Sequence, residues 1–279
     1  MKVVQRLTIG YIQTKFKLLS TISKKKAAEQ AFVLFCTPFL RSKRRGAPEN
    51  ADLLQFKFKN LTINGYRWNF PQRSKVLILH GFGSAAYKFE AYVAPLVKKG
   101  YEVLAFDAPA HGDSDGSTTN AVEYAEMIEK VIKLYGPIQK FIAHSFGGIA
   151  LSLALENIRH DENTSIVFIA PATETTSAVD GAFAMLKINN GVVRKEFDNI
   201  VFIVSGKETA WFSIRRAIKN IRADVLWVHD EDDDITPVAD ALKVKEDNHP
   251  NIHFVITKGL GHSKIYHDQS IKNLVIAFL

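Results

Sequence analysis

The sequence predicts an α/β fold, a mostly parallel sheet with helices on both faces. Short apolar runs such as Lys75–Leu79 and Ser165–Ala170 lack polar alternation and are typical of strands buried on both faces. They alternate with longer helical segments such as Ala121–Tyr135, and this order is that of a parallel sheet covered on both sides. A chain of 279 residues accommodates one large domain of this kind with an insertion.

The first 50 residues are predicted to form a basic helical arm outside this domain. Residues 1–48 contain eleven Lys or Arg and one acid, Glu29, so they carry +10 and leave −3 to the rest of a chain of net charge +7. Apolar residues recur near one face of the predicted helix: Leu7, Tyr11, Leu18 and Ile22. Either this arm packs on the domain with its lysines in solvent, or residues 1–48 rest on an anionic membrane or an acidic partner. Nucleic acid is a poor partner, because no DNA- or RNA-binding module is recognisable.

The composition is that of an ordinary globular protein, with 47% apolar and 23% charged residues. A single cysteine, Cys36, excludes an internal disulfide and suits a reducing cytoplasm. No run approaches the roughly 18 apolar residues that a membrane span needs. We therefore expect a cytoplasmic protein, with membrane association left open for the arm. The sequence does not predict an oligomeric state.

In chain order, a second helix is expected over 27–40, followed by a polar linker over 41–50. Strands over 53–58 and 61–68 are expected to pair as an antiparallel edge, with Asn64-Gly65 as the hairpin turn. The remaining strands are expected at 75–79, 101–106, 140–142, 165–170, 224–229 and 252–256, and helices at 86–99, 121–135, 149–155 and 269–279. The stretch Ile200–Val204 is rich in β-formers and is expected to be a buried segment.

The sequence Ala143-His144-Ser145-Phe146-Gly147 has the pattern of a nucleophile elbow. Ser145 follows a predicted strand and precedes a buried helix, with small residues two before and two after it. Such a sharp turn strains the serine backbone and brings strand and helix too close for larger side chains. Ser145 is therefore a candidate nucleophile, which needs a base within reach. His262, in the Gly-flanked loop Gly259–Ser263 after the last strand, is the candidate base.

Three further motifs follow predicted strands: His80-Gly81-Phe82-Gly83, the stretch Asp107–Ser114 and the acidic loop His229–Pro237. Together with the elbow and His262, over about residues 52–279, they resemble the α/β-hydrolase superfamily, in which the order serine, acid, histidine is typical. The resemblance implies an α/β-hydrolase sheet with a small cap insertion at about 172–222. The predicted domains are thus the arm, 1–50, and the hydrolase domain, 51–279.

The resemblance also implies roles for particular residues. The family pattern H-G-x-x-D-x-x-x-P matches Asp233 as the acid that orients the histidine, with Asp232 and Asp234 as alternatives and Asp230 in place of the family's glycine. The oxyanion hole would use the backbone N–H groups of Phe82 and Phe146. We expect His80, His111 and Asp107 to be structural. The residues expected near the substrate are His144, Phe183, Met185, Trp211 and Phe212, although packing of the cap on the core is the safer interpretation for most of the last four.

No cofactor or metal is predicted. Gly-rich nucleotide-binding motifs are absent from the sequence, and the acidic loop lacks the ligand spacing and glycine of a calcium loop. The predicted function is hydrolysis of a carboxylic ester or thioester through an acyl-enzyme. Acyl transfer, C–C bond hydrolysis or lyase chemistry on the same fold, or a ligand-binding module without catalysis, are the alternatives.

Overall fold

A computed structural model describes residues 3–39, 41–42 and 46–279, of which 3–9 are described by their backbone alone. The basic residues 43–45 and the side chain of Leu7, both part of the predicted arm, lie outside this description. The chain divides into two compact units. One contains the described residues up to Thr37 and Glu174–Phe212, and the other contains Pro38–Thr173 and Ser213–Leu279.

The second unit is built on a sheet, and we call it the sheet unit. Its strands are β1 (Asp52–Phe58), β2 (Leu61–Trp68), β3 (Lys75–Leu79), β4 (Glu102–Phe106), β5 (Lys140–His144), β6 (Ser165–Ile169), β7 (Asp224–Asp230) and β8 (Ile252–Thr257). They lie in the order β1-β2-β4-β3-β5-β6-β7-β8. The β1–β2 and β2–β4 pairs are antiparallel and all the others are parallel, so the predicted mostly parallel α/β sheet is confirmed.

Helices cover both faces of this sheet. The helices of the sheet unit are α3 (Glu90–Lys98), α4 (Ala121–Tyr135), α5 (Phe146–Leu155), α8 (Ile214–Ala217), α9 (Val238–Glu246), α10 (Gly261–Lys264) and α11 (Gln269–Phe278). Helices α3 and α11 pack on one face, where Tyr92 and Val275 join strand residues such as Val76 in one buried cluster. Helix α5 packs on the other face, where Gly148 approaches the Phe168 ring of β6. Both faces are apolar, which explains the continuous apolar runs of the sequence.

The predicted position of the hairpin turn is wrong. The turn lies at Lys59 and Asn60, because Phe58 pairs with Leu61 and Lys59 has the positive φ of 53° that a tight turn needs. Gly65 lies inside β2, where a Cβ would be 2.2 Å from the Phe106 ring. The glycine at this position therefore makes room for a neighbouring side chain of the sheet and does not form a turn.

The first unit is helical, and we call it the helical unit. It contains α1 (Val3–Ile22), α2 (Lys24–Phe35), α6 (Thr175–Met185) and α7 (Gly191–Ser205). Its interior contains Phe16, Ala27, Ala28, Ala31, Val179, Phe183, Leu186, Ile188, Val193 and Phe197. The N-terminal helices and the segment between β6 and β7 thus share one apolar core.

The β-like stretch Ile200–Val204 lies in helix α7, and its last three residues are exposed, so the expected buried segment is wrong. Asn190 caps the start of α7 by accepting from the backbone N–H of Val192 and of Val193. Gly206 ends the helix in the left-handed conformation. Both caps override the weak β preference of the residues between them. Among the described residues, no helix has the length and apolar content needed to cross a membrane.

Candidate active site

Ser145 occupies a strained turn between β5 and α5. Its backbone has φ 53° and ψ −118°, an unfavourable conformation for a side chain with a Cβ. Two glycines after it permit close packing. A Cβ on Gly147 would lie 2.8 Å from the carbonyl oxygens of Leu79 and His80, and one on Gly148 would lie 2.6 Å from Pro171 Cβ. The small residues of the motif therefore let α5 begin directly against the end of β3.

Three of the predicted site residues form one chain of hydrogen bonds. His262 Nε2 lies 3.0 Å from Ser145 Oγ, and His262 Nδ1 lies 2.8 Å from Asp233 Oδ2. The side chain of Asp233 is fully buried and that of His262 is 10% exposed. In the neutral tautomer that this network favours, Nδ1–H donates to Asp233 and Nε2 accepts from the serine hydroxyl. This arrangement draws the proton of Ser145 towards the imidazole.

The loop after β7 holds Asp233 in place. Its Oδ1 accepts from the backbone N–H groups of Ile235 and Thr236, at 2.9 and 2.8 Å. Burial alone would raise the pKa of Asp233, but the hydrogen bond and charge of His262 and the two N–H donors outweigh it and lower this pKa below its usual range. Asp233 is therefore an anion at neutral pH. Asp232 and Asp234, the alternatives of the sequence analysis, are exposed.

Thr236 was not predicted from the sequence to be part of the site, yet its hydroxyl contacts both Asp233 and His262. Its hydroxyl lies 2.8 Å from Asp233 Oδ2 and 3.1 Å from His262 Nδ1. Donation to the carboxylate supports the orientation of Asp233 towards the histidine. The sequence signal was present in the Thr-Pro pair that ends the acidic loop, but a threonine before a proline is common in turns.

The loop after β3 closely approaches Ser145, the candidate nucleophile. A Cβ on Gly81 would lie 2.9 Å from Ser145 Cβ, so only glycine allows the chain to pass here. The backbone N–H groups of Phe82 and Phe146 donate to no residue within the described ranges. Backbone donors left open beside a nucleophile are suited to stabilising a developing oxyanion. The two side chains meet edge to face, with ring centroids 5.4 Å apart.

His80 and His111 use both ring nitrogens within their loops. In each, Nδ1–H donates to a nearby backbone carbonyl, that of Gly81 and that of Pro109 respectively. Their Nε2 atoms accept backbone N–H groups at 3.0 and 2.9 Å. Burial lowers the pKa of His111 to about 4 and that of His80 well below the usual value. Both rings are therefore neutral, and they tie together the loops that follow β3 and β4.

Asp107 joins the same two loops. Its carboxylate accepts from the backbone N–H groups of Ala86 at 2.8 Å and Asp113 at 3.0 Å. A Cβ on Gly112, which has φ 47°, would lie 2.1 Å from this carboxyl group. Burial raises the pKa of Asp107 to about 6. The hydrogen bonds are those of a residue that shapes the loop.

His144 lies beneath the candidate base. Its ring is 5% exposed and packs on Tyr266 and His262, with centroids 4.5 and 4.8 Å away. Its Nε2 lies 3.3 Å from the backbone oxygen of His262, whereas its Nδ1 has no hydrogen-bond partner among the described residues. Burial lowers the pKa of His144 to about 3, so the ring is neutral. Its surroundings are those of a supporting residue.

The other residues expected near the substrate belong to the helical unit. Phe183 is buried in its interior against Phe197, with ring centroids 5.4 Å apart. Phe212 is buried and contacts Trp211, whereas Met185 is exposed. The place of these four residues near a substrate stays a prediction. No cluster of potential metal ligands occurs among the residues that the structure describes.

Comparison with known proteins places this geometry in context. The profile of the alpha/beta hydrolase family matches residues 76–274. An uncharacterized hydrolase of Bacillus subtilis, YugF, is 35% identical over 107 residues, which are 37% of this chain and 39% of that protein. A putative esterase/lipase 2 of Mycoplasma pneumoniae is 26% identical over 114 residues, 39% of this chain and 41% of its own length. The chain thus spans about two fifths of these curated relatives.

Solved structures share the fold at low sequence identity. An esterase of Pyrococcus furiosus, Pf2001, superposes with a TM-score of 0.64 at 20% identity, over 86% of this chain and 94% of that one. Est1E of Butyrivibrio proteoclasticus, solved with ferulic acid, gives a TM-score of 0.63 at 19% identity, over 81% and 97%. The family profile covers most of the chain, from β3 into α11. The chain belongs to the alpha/beta hydrolase family.

Proposed function

We propose that this hydrolase cleaves a carboxylic ester or thioester through an acyl-enzyme formed on Ser145. The hydrogen-bonded chain of Ser145, His262 and Asp233, with successive distances of 3.0 and 2.8 Å, is the observation that carries the proposal. In this role His262 takes the proton of Ser145 as the hydroxyl oxygen attacks the carbonyl carbon, and Asp233 stabilises the imidazolium without taking the proton. The oxyanion of the tetrahedral intermediate accepts from the backbone N–H groups of Phe82 and Phe146.

The second half of the reaction uses the same groups. His262 returns its proton to the departing alcohol or thiol, and water then enters. The imidazole removes a proton from this water, which attacks the acyl carbon. The bond from that carbon to Ser145 Oγ then breaks, His262 gives its proton to Ser145, and the acid product leaves. No group beyond the side chains and backbone donors of the sheet unit is needed for this sequence of steps.

An apolar acyl group fits the surroundings of the nucleophile. Phe82 is 40% exposed, although it adjoins a loop that packs closely against Ser145. An exposed aromatic ring at such a place offers a surface for an alkyl or aryl chain. The named relatives agree with this class of substrate, since one is a putative esterase/lipase and another was solved with an aromatic acid.

Reaction with a fluorophosphonate tests the proposed nucleophile. We expect the intact protein to gain one adduct, mapped to Ser145, and unfolded protein to gain none. Ser145→Ala should abolish both the adduct and the hydrolysis of p-nitrophenyl butyrate. The Ser152→Ala variant is the control, because Ser152 is a fully buried serine of α5 whose hydroxyl donates to Ile149 O at 2.8 Å. Ester hydrolysis by Ser145→Ala at the wild-type rate would overturn the proposal.

The proposal also includes peripheral contact of residues 1–48 with an anionic membrane. Within the described part of this segment, α1 and α2 carry five lysines against one acid, Glu29. Basic helices of this kind are attracted to anionic lipid headgroups.

A further inference from the structure

We infer that one face of α1, formed by Tyr11, Leu18 and Ile22, is a docking surface for an anionic lipid bilayer. These side chains are 71%, 63% and 81% exposed, although all three are large and apolar. At about 100° per residue they fall within an arc of about 40°, so they form one stripe along the helix. We call this stripe the outer face.

The outer face is distinct from the face that packs in the helical unit. Ile12, Phe16 and Leu19 pack in or against the apolar core of that unit. Their directions lie about 100° around the helix axis from the outer face. Helix α1 is thus apolar on two sides, and the described part of the helical unit covers only one of them. An apolar stripe of this length that stays in water indicates a partner.

The charges around the stripe indicate a partner with a negative surface. Lys15 and Lys17 are exposed on α1, and Lys25 and Lys26 are exposed near the start of α2. Each basic residue near an anionic membrane surface raises partitioning roughly five-fold, and long lysine chains extend to the headgroups while their stems remain in apolar surroundings. A second copy of this chain is disfavoured, because its outer face would bring the same positive charge. An anionic bilayer offers both the apolar phase and the opposite charge.

Sedimentation with lipid vesicles tests the outer face. The full chain is mixed with vesicles of phosphatidylcholine alone or with about 30% phosphatidylglycerol, at salt concentrations from about 0.05 to 0.5 M. We expect binding to the anionic vesicles only, with weakening as salt rises. Leu18→Asn with Ile22→Asn should lower the partition coefficient at least about ten-fold, because both residues lose their apolar contact with the lipid. Val33→Asn, a change at an exposed apolar residue of α2, should leave binding within about two-fold of wild type.

The inference rests on the proposed membrane contact and not on the proposed chemistry, which is measured separately on a water-soluble ester. No sedimentation of the wild-type chain with anionic vesicles would overturn both the contact and the outer face. Wild-type binding that survives the double substitution, or that Val33→Asn weakens as much, would overturn the outer face alone. A dimer in sedimentation velocity that the double substitution dissociates would assign the stripe to a second copy and overturn the lipid assignment.

A different observation carries a second inference: we propose that Asp230 is a positioning residue for His262. Its side chain is fully buried at the end of β7 and accepts four hydrogen bonds. Three come from the segment that leads to His262: from Thr257 Oγ1 at 2.7 Å, Leu260 N at 3.1 Å and Gly261 N at 2.8 Å. The fourth comes from Asp232 N at 3.0 Å.

These bonds fix the residue before the candidate base. Gly261 has φ 59°, and its N–H donates to Asp230 Oδ1 immediately before the chain enters α10 with His262. A carboxylate with four donors is held as an anion, and although its burial opposes ionisation, the donors lower the pKa of Asp230. The family pattern has a glycine at this position, whereas this chain has a carboxylate that holds the segment before His262 by charge-assisted hydrogen bonds.

Steady-state kinetics on a water-soluble ester test this role, which rests on the proposed function. Asp230→Asn sets an amide NH₂ against an N–H donor, so we expect kcat to fall about ten-fold or more with KM within about two-fold, and the rate of fluorophosphonate labelling to fall in parallel. Thr257→Val removes one donor and should lower kcat several-fold in the same manner. Asp224→Asn, at the opposite end of β7, changes a half-exposed carboxylate whose partner is His253 Nε2 at 2.9 Å, and should stay near wild type.

Rates are measured per folded molecule, well below the melting temperature of each variant. A role in folding alone would lower the melting temperature of Asp230→Asn and Thr257→Val but leave kcat and the labelling rate unchanged, and this result would overturn the inference. A wild-type enzyme that hydrolyses no ester and takes no fluorophosphonate would instead overturn the proposed function.

Discussion

Acid should destabilise the sheet unit through its buried histidines, at pH values where its paired carboxylates are still ionised. Burial lowers the pKa of His111 to about 4 and that of His144 to about 3, from an ordinary value near 6.5. As the pH falls below about 6.5, the unfolded chain protonates both rings while the folded chain keeps them neutral. The unfolded state then binds more protons, so the free energy of unfolding decreases. Between about pH 7.5 and pH 5, each ring removes about 2 kcal/mol.

Asp107 acts in the opposite direction over this interval. Burial raises its pKa to about 6, so the folded chain takes up this proton before the unfolded chain, whose ordinary aspartate pKa is near 3.8. The free energy of unfolding thereby increases by about 1.4 kcal/mol at about pH 5. The two rings and this carboxyl together leave a net loss of about 2.6 kcal/mol. Burial also lowers the pKa values of His80 and His229, which adds to the loss.

Urea unfolding at the two pH values, followed by tryptophan fluorescence, measures this loss. His144→Phe keeps an aromatic ring against Tyr266 but removes the titrating group, so its pH dependence should be about 2 kcal/mol smaller than that of wild type. The comparison uses the difference between two pH values, and any constant packing cost of the substitution cancels. If His144→Phe kept the full wild-type pH dependence of the free energy of unfolding, the reasoning would be refuted.

Four further outcomes are expected. Gly147→Ala would place a Cβ 2.8 Å from two backbone carbonyl oxygens and should lower the free energy of unfolding by about 1–3 kcal/mol. Gly181→Ala, in helix α6 with nothing within 4 Å of the added Cβ, should raise it by about 0.5–1 kcal/mol in the same urea titration. Asp233→Asn should lower kcat for an ester about ten-thousand-fold, whereas Asp234→Asn should stay within about two-fold. Phe82→Ala should reduce the preference for octanoyl over acetyl esters of p-nitrophenol by about ten-fold, and an unchanged preference would remove Phe82 from the acyl site.

The sheet was predictable because its strands are buried on both faces. In runs such as Lys75–Leu79, successive apolar side chains point to opposite faces of the sheet. The run alone therefore indicates a strand that is buried on both faces. The hairpin turn was not predictable in the same way. Asn64-Gly65 is a strong local turn signal, but the Phe106 ring of β4 lies over Gly65, and only the folded sheet brings these two residues together. A local preference was overridden by a long-range contact.

Helix α7 could have been recognised from its ends. Asn190 and Gly206 are common residues at the start and at the end of a helix, and both have these roles here. The β-branched residues of Ile200–Val204 favour a strand, but placing them in a helix interior costs only a few tenths of a kcal/mol per residue. The distance between the two caps was the better signal.

The acidic loop shows which residues of the site can be predicted from sequence spacing and which cannot. The count of four residues from His229 selects Asp233 among neighbouring aspartates, and the buried position of Asp233 beside His262 distinguishes it physically from Asp232 and Asp234. By the same count, Asp230 is only the residue that stands where the family pattern has a glycine. Three of its four hydrogen bonds come from residues 27–31 positions later, and such pairs cannot be predicted from spacing within one loop. Asp233, which contacts the candidate base, is recognisable from its own loop. Asp230, which holds the segment before that histidine, is recognisable only when β7 and β8 pair.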